Sequence, residues 1–204
     1  MSLNFEQARA AMVEQQVRPW EVLDPRVLEV IATVPREDFV PVAQRQLAYA
    51  DLPLPLPFGE TMMKPVVEGR VLQALGLSPE DEVLEIGTGS GYLTACLARL
   101  AREVVSIDRH AEFVDAARER LARHGASNIR FDVADALAFE PGRLFDAIAV
   151  TAAVAEVPAA FTRWLKPEGR LFVIRGLSPA QEAVRITRRG EHQHVESLFE
   201  TDVP

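Results

Sequence analysis

The sequence of 204 residues contains one cysteine, Cys96, so no disulfide can form within the chain. Proteins of oxidising compartments commonly use disulfides, and a lone cysteine therefore favours a cytoplasmic location. No stretch approaches the ~18 apolar residues of a membrane-spanning helix. We also expect no secretory signal, because residues 4–16 are too polar for its apolar centre. The expectation is a cytoplasmic protein that does not associate with membranes.

Positive charge is also scarce. Lysine and arginine total 22 against 30 aspartates and glutamates, which gives a net charge of −8. Binding to nucleic acid requires clustered positive charge, so a nucleic-acid partner is not expected. His192 and His194 share one face of a predicted strand but have no nearby cysteine or third ligand. We therefore expect an exposed edge strand there, no metal site, and a buried apolar role for Cys96.

From residue 82 onward, short apolar runs alternate with helical patterns. Strands are predicted at 82–86, 103–107, 129–133, 145–151 and 170–174, and helices at 91–101, 111–124 and 157–165. Alternation of strand and helix is typical of a parallel sheet with helices on both faces. Two alternating runs flank Arg189 and Gly190, and they predict an antiparallel hairpin at the C-terminal edge. The pattern therefore indicates an α/β fold.

Before residue 82 the sequence pattern differs from this alternation of strands and helices. An amphipathic helix is predicted over residues 4–18, and Asp24 followed by Pro25 predicts the start of a second helix. Prolines alternate over 53–57, which favours an extended segment. A third helix is predicted from Pro65 to Gly76. We expect a single domain over 1–204, with a helical N-terminal extension in 1–77 and a ligand-binding α/β core in 78–204.

The segment "VLEIGTGSGYLTACLARL" (83–100) joins a strand to a helix through a glycine-rich loop. Glycines permit positive φ and a close approach of ligand to backbone, and the helix offers free N–H groups at its start. The loop has the spacing G-x-G-x-G, which differs from the dinucleotide fingerprint G-x-G-x-x-G. It also lacks the Gly-Lys-Ser/Thr of a phosphate-binding loop. The spacing makes a nicotinamide oxidoreductase a remote alternative.

Three carboxylates accompany this loop. Glu85 precedes Gly87 by two residues and would repel a pyrophosphate but attract an amino group. Asp108 ends the second strand, where a carboxylate can accept both ribose hydroxyls, although it can also cap the next helix. Asp135 follows the third strand and can accept from an adenine amino group, although alone it would more often be a turn residue. Together they suit S-adenosylmethionine, an adenosine that carries a zwitterionic amino acid.

Four segments resemble the protein-L-isoaspartate O-methyltransferase family: "RVLEVIATVPREDFVP" (26–41), "LEIGTGSGY" (84–92), "FDAIAVTAAVAEVP" (145–158) and "LKPEGRLFVI" (165–174). The resemblance implies a doubly wound, mostly parallel seven-stranded sheet of the class I methyltransferase type, with an antiparallel seventh strand. It implies methyl transfer from S-adenosylmethionine, giving S-adenosylhomocysteine, to L-isoaspartyl residues in damaged proteins. The residues that it places at the cofactor are Glu85, Gly87, Thr88, Gly89, Ser90, Gly91, Asp108, Asp135 and Ala136.

The resemblance also marks a difference. The family usually has Thr-Ile-Ser-Gln-Pro where this chain has "TMMKP" (61–65), so Met63 replaces a serine beside the methyl-transfer site and Lys64 replaces an amide. Thr61, Met63 and Lys64 are the candidate catalytic residues. Three hypotheses remain: an isoaspartyl methyltransferase, a relative that methylates another anionic acceptor, or a non-catalytic S-adenosylmethionine-binding protein. Nothing in the sequence predicts an oligomeric state.

Overall fold

The computed structural model describes residues 4–203, and most of its strands form one large sheet. The strands are β1 (Leu54–Pro55), β2 (Thr61–Met62), β3 (Glu82–Ile86), β4 (Glu103–Asp108), β5 (Ile129–Val133), β6 (Phe145–Val154), β7 (Leu165–Leu177), β8 (Ala180–Arg189) and β9 (His192–Thr201). The large sheet has seven strands in the order β5-β4-β3-β6-β7-β8-β9. The crossover from β5 back to β6 places the change of strand order between β3 and β6.

The first five strands of this sheet are parallel, and the C-terminal hairpin is antiparallel, as the sequence predicts. β8 pairs antiparallel with both β7 and β9. The strand that runs against the others is therefore β8, the sixth strand of the sheet in chain order. The seventh strand, β9, runs in the same direction as the parallel five, which differs from the antiparallel seventh strand implied by the resemblance.

Six α-helices lie in the described residues: α1 (Phe5–Met12), α2 (Pro25–Thr33), α3 (Pro65–Leu75), α4 (Tyr92–Leu100), α5 (Ala111–Arg123) and α6 (Ala159–Arg163). The Asp24 side chain accepts a hydrogen bond from the Arg26 amide and caps α2, and Gly76 ends α3 in the left-handed conformation. Both predicted boundaries are confirmed. No helix in residues 4–203 has the length and apolar character needed to span a bilayer.

Several predicted elements have different bounds in the structure. The helix predicted over 4–18 is α-helical only through Met12 and continues as a π-helical turn, Val13–Val17. The helix predicted at 157–165 is only the short α6. The strand predicted at 170–174 is part of the longer β7. This strand begins at Leu165, which pairs with Phe145, and the regular pairing resumes at Arg170 after residues 166–169 bulge out of register. The left-handed Glu168 lies within that bulge.

The alternating prolines form part of a small sheet. Leu54 pairs with Met62 and Pro55 pairs with Thr61, so β1 and β2 are antiparallel. The Leu56 amide donates to the Glu60 carbonyl at 2.8 Å, which continues this pairing. The extended conformation predicted here is confirmed over two residues, but the pairing with 61–62 was not predicted. We call residues 53–63 the covering segment.

Helix α3 connects the covering segment to the core and packs against the N-terminal helices. Gly69 lies at the closest approach, where a Cβ atom would be 2.8 Å from Val17 Cγ1 and 3.1 Å from Val22 Cγ2. Buried side chains from these helices and from one sheet face form one continuous apolar cluster. The N-terminal segment therefore sets the position of α3.

We expect Gly69→Ala to destabilise the protein by about 1–3 kcal/mol, the usual range for overpacking. Helix propensity alone gives the opposite sign, because alanine is favoured over glycine by up to about 1 kcal/mol in a helix. Urea denaturation with and without Val17→Ala provides the check. The double variant should lose less stability than the sum of the two single substitutions, because Val17→Ala removes the atom nearest to the added methyl group. A Gly69→Ala protein as stable as the natural one would contradict the packing argument.

Candidate functional site

The loops that follow the parallel strands meet at one edge of the sheet. β3, β4, β5 and β6 run in the same direction, so their carboxyl ends lie side by side. Ligands of open α/β sheets bind at this edge, where the strand order changes direction. The glycine loop, Asp108, Asp135 and Thr151 all lie in this region. The predicted candidates from three different strands are therefore brought together.

A cavity of about 330 Å³ lies along the glycine loop, and we call it the glycine-loop cavity. Five of the nine predicted cofactor residues line it: Gly87, Gly89, Asp108, Asp135 and Ala136. Its opposite wall includes Leu56, Glu60 and Thr61 of the covering segment. The cavity is thus enclosed between the sheet edge and the covering segment.

The two aspartates differ in how firmly they are held. The buried Asp108 accepts from the Gly89 amide at 3.0 Å and from the His110 amide at 2.9 Å, so it fixes the glycine loop to the end of β4. Asp135 is exposed and accepts from the Leu137 amide at 2.9 Å. A carboxylate has about four acceptor positions, so each keeps capacity for a ligand in the cavity.

The outer glycines of the loop have packing roles. Gly87 has φ 100°, and a Cβ there would lie 2.1 Å from Thr151 Oγ1, whose hydroxyl donates to the Gly87 carbonyl at 2.9 Å. Gly91 has φ 82°, and a Cβ there would lie 2.9 Å from Ala117 Cβ on α5. Gly91 does not line the glycine-loop cavity. Its glycine allows α4 and α5 to pack closely.

Glu85 lies beneath the loop rather than in the cavity wall. Its side chain is inaccessible, and its Oε2 accepts from the Thr94 and Ser106 hydroxyls, each at 2.5 Å. Burial raises the pKa of Glu85 to about 8, although both hydroxyls act in the other direction. Thr88 is also buried, 2.7 Å from Ser106. Glu85 thus supports the loop from below and does not line the glycine-loop cavity, and its predicted contact with a ligand amino group stays a prediction.

A second cavity, of about 340 Å³, contains Lys64 in its wall, and we call it the lysine cavity. Met63 and Thr61 form part of its wall, and the end of the chain closes its other side through Thr201, Asp202 and Val203. Glu60, Thr61, Thr151 and Ala152 line both this cavity and the glycine-loop cavity. The two cavities therefore adjoin, and the Thr61 side chain lies at their junction.

Lys64 and Met63 give this cavity its chemical character. Lys64 is partly exposed, and no carboxylate in residues 4–203 lies within 4.0 Å of its ammonium group. Met63 is 7% exposed and presents an apolar side chain to the same space. Glu60 and Asp202 also line the lysine cavity, so its wall combines one ammonium group, two carboxylates and the apolar Met63 side chain. Lys64 is the group in this wall that attracts an anion.

A third space, the inner cavity, continues inward from the glycine loop with a volume of about 40 Å³. It is lined by Thr88 and Ser90 of the glycine loop, by Met63, and by Glu68 of α3. Ser90 is buried, and its carbonyl accepts from Arg120 at 3.0 Å. Sequence reasoning did not identify Glu68. Its signal was available, because Glu68 is the sole acidic residue in "PVVEGRVLQAL" (65–75).

Arg36 was also missed, although it belongs to the quoted segment "VPREDF". Its guanidinium is completely buried, forms an ion pair with Glu68, and donates to the Met63 carbonyl at 2.7 Å. It also lies over the Tyr92 ring, 4.7 Å from the centroid. Arg36 thus fixes the backbone of the segment that separates the lysine cavity from the inner cavity.

Glu60 and Phe58 attach the covering segment to the residues that follow β4 on the other side of the glycine-loop cavity. Glu60 forms an ion pair with Arg109 at 2.7 Å, and the Phe58 ring stacks on His110 with a centroid distance of 4.4 Å. Arg109 and His110 directly follow Asp108. These contacts close one side of the cavity and were not predicted.

Other predicted positions lie away from this site. His192 and His194 are exposed on the edge strand β9, as expected, and Cys96 is buried in α4. In the part of the chain that the structure describes, no three His, Cys, Asp or Glu side chains are grouped so that they could hold a metal ion. The candidate site is therefore the set of three adjoining cavities.

Comparison with known proteins identifies relatives along almost the whole chain. The family model described as protein-L-isoaspartate(D-aspartate) O-methyltransferase (PCMT) matches residues 7–201. A protein-L-isoaspartate O-methyltransferase of Methylorubrum extorquens is 43% identical over 185 residues, covering 90% of this chain and 81% of that protein. One from Koribacter versatilis is 41% identical over 188 residues, covering 91% and 83%.

A solved structure has the same fold. A Plasmodium falciparum protein described as a protein-L-isoaspartate O-methyltransferase, crystallised with S-adenosyl-L-homocysteine, superimposes with a TM-score of 0.84 at 21% identity. The match covers 99% of this chain and 97% of that one. With the curated relatives and the family model, these findings show that the chain belongs to the protein-L-isoaspartate O-methyltransferase family.

Proposed function

We propose that this protein transfers the methyl group of S-adenosylmethionine to the carboxylate of L-isoaspartyl residues in proteins, with S-adenosylhomocysteine as the second product. The observation that carries the proposal is the junction at Thr61, where the glycine-loop cavity adjoins the lysine cavity. One cavity suits the methyl donor and the other suits an anionic acceptor. Membership of the family supports this assignment.

The residues of the glycine-loop cavity fit S-adenosylmethionine. Its volume of about 330 Å³ is that of a small-molecule site. In this proposal Asp108 accepts the ribose hydroxyls and Asp135 accepts the adenine amino group. The small side chains of Ala134 and Ala136 leave space beside Asp135 for the base. The Gly87 and Gly89 backbone lines the same cavity and would lie alongside the bound cofactor.

The reaction requires little acid–base chemistry from the protein. Bound S-adenosylmethionine supplies an activated methyl group on a sulfonium, and a carboxylate is already ionised at neutral pH. The residues around the junction therefore need to orient the acceptor and exclude water. Thr61 can donate a hydrogen bond to one acceptor oxygen, while the Met63 side chain keeps the surroundings apolar. Lys64 attracts the anionic acceptor into the lysine cavity.

This chain has Met63 and Lys64 where the family usually has Ser-Gln. The difference supports a second candidate function, in which the same methyl transfer acts on another acceptor. A relative that methylates a different anionic acceptor would also use a lysine beside an apolar surface. A non-catalytic S-adenosylmethionine-binding protein is the third candidate, and the assay below distinguishes it. The lone cysteine supports our further proposal that the protein acts in the cytoplasm.

We expect the protein to transfer labelled methyl groups from S-adenosylmethionine to an L-isoaspartyl peptide and not to the matching aspartyl peptide. The two peptides differ only in which carboxylate is free, so the pair isolates recognition of the acceptor. Binding of S-adenosylhomocysteine is measured in parallel by calorimetry.

Binding without transfer to the isoaspartyl peptide would exclude the proposed acceptor and leave the second and third candidates. Transfer of the label to a different carboxylate-bearing acceptor would then support the second candidate, and its absence would support the third. Absence of S-adenosylhomocysteine binding would refute all three.

We expect Lys64→Gln to raise the KM for the isoaspartyl peptide by about fivefold, the effect of losing one solvent-accessible charge interaction. The KM for S-adenosylmethionine should stay unchanged, because Lys64 does not line the glycine-loop cavity. Arg189→Gln removes the same charge at the exposed β8–β9 turn and serves as the matched control. Equal effects of the two substitutions would indicate a general charge effect and contradict a specific role for Lys64.

A further inference from the structure

We propose that Glu68 binds the α-ammonium group of S-adenosylmethionine in the inner cavity, so that α3 supplies part of the cofactor site. This inference rests on the proposed function and deepens it by assigning the amino-acid end of the ligand. Nothing in the sequence pattern assigned Glu68, and Glu85 was the carboxylate predicted for this contact.

The inner cavity is placed to receive that end of the ligand. It shares Leu56, Thr61, Gly87, Gly89 and Thr151 with the glycine-loop cavity, so the two spaces are contiguous around the glycine loop. A volume of about 10–15 Å³ is enough for one water molecule. The inner cavity, at about 40 Å³, therefore accepts a group of a few heavy atoms and no more.

Glu68 is the carboxylate that faces this space. The residue is 2% exposed and lines the inner cavity, whereas Glu85 is inaccessible and lines none of the three cavities. Glu68 Oε2 accepts a hydrogen bond from Arg36, and no hydrogen bond to Oε1 is formed within residues 4–203. An ammonium group in the inner cavity would donate a charge-assisted hydrogen bond to this carboxylate.

The charge balance of the buried Arg36–Glu68 pair also favours Glu68 as the residue that binds the ammonium group. A buried carboxylate paired with one buried arginine forms a neutral unit, and an incoming zwitterion keeps it neutral. Burial raises the pKa of Glu68 to about 7, with Arg36 acting in the other direction. Burial likewise raises the pKa of Glu85, to about 8.

The titratable groups around Glu68 come from three neighbouring elements. Arg36 follows α2, Tyr92 and Cys96 belong to α4, and Glu85 lies on β3. Burial raises the pKa of Tyr92 and of Cys96, so both stay protonated at neutral pH. Glu68 and Glu85 are therefore the two groups of this cluster that titrate between about pH 6 and 9.

The test compares two ligands that differ in the amino-acid end. S-adenosylhomocysteine carries the α-ammonium group, and 5′-methylthioadenosine lacks the whole amino-acid part. Calorimetry of Glu68→Gln should show S-adenosylhomocysteine binding weakened about tenfold, the usual effect of losing one charge-assisted hydrogen bond. Binding of 5′-methylthioadenosine should be unchanged. Glu85→Gln, the matched control, should not discriminate between the ligands, and Asp108→Asn should weaken both.

The pH dependence provides a second measurement. A carboxylate with a raised pKa loses its charge as the pH falls, so S-adenosylhomocysteine should bind more weakly at about pH 6 than at about pH 8. In the natural protein, binding of S-adenosylhomocysteine should depend on pH more strongly than binding of 5′-methylthioadenosine does. In the Glu68→Gln variant this difference between the two ligands should disappear. The Glu85→Gln variant should retain it.

Equal weakening of both ligands by Glu68→Gln would show that Glu68 only supports the fold, and the proposal would fail. A selective loss in Glu85→Gln instead would assign the ammonium group to Glu85. If the natural protein binds neither ligand, the proposed function itself is wrong, which is a different outcome. Should Glu68→Gln not fold, the double variant Arg36→Met/Glu68→Met replaces the buried pair by apolar residues, and it should show the same selective loss.

Discussion

The buried guanidinium of Arg36 is the constraint on which the rest of the site depends. A charge without access to water must be neutralised and hydrogen-bonded, and removing one partner of such a pair is costly. Arg36 meets most of this requirement with Glu68, the Met63 carbonyl and the Tyr92 ring, whereas its Nε has no hydrogen-bond partner in residues 4–203. Satisfying one side chain therefore fixes the end of α2, the start of α3 and the face of α4 relative to one another.

The parallel sheet positions the remaining residues of the candidate site. Its carboxyl edge presents the glycine loop, Asp108 and Asp135 together, while the N-terminal segment supplies Thr61, Met63 and Lys64 from the opposite side. The C-terminal strands add a wall, because Thr201, Asp202 and Val203 line the lysine cavity. The hairpin that continues the sheet beyond β7 thus also shapes the space for the acceptor.

Sequence patterns predicted most of the core strands and helices, because apolar periodicity and glycine or proline signals act locally. They also located the two aspartates and the glycine loop, which follow from strand order. They did not predict that Glu85 turns inward. On β3, Val83 and Glu85 share the face covered by α4, so the alternation of side chains directs Glu85 away from the cavity. Arg36 and Glu68 were missed because their pairing joins residues 32 positions apart.

At its outer end, the covering segment is held over the glycine-loop cavity by an exposed ion pair and by contacts of the Phe58 ring with His110 and Phe113. An exposed ion pair such as Glu60 with Arg109 contributes about 0.2–1 kcal/mol. An aromatic stack such as Phe58 on His110 contributes about 0.5–1.5 kcal/mol beyond its buried area. Lifting this end therefore costs far less than the ~5–15 kcal/mol that unfold a domain. Ligand exchange can proceed through local opening while the sheet and the Arg36 cluster stay intact.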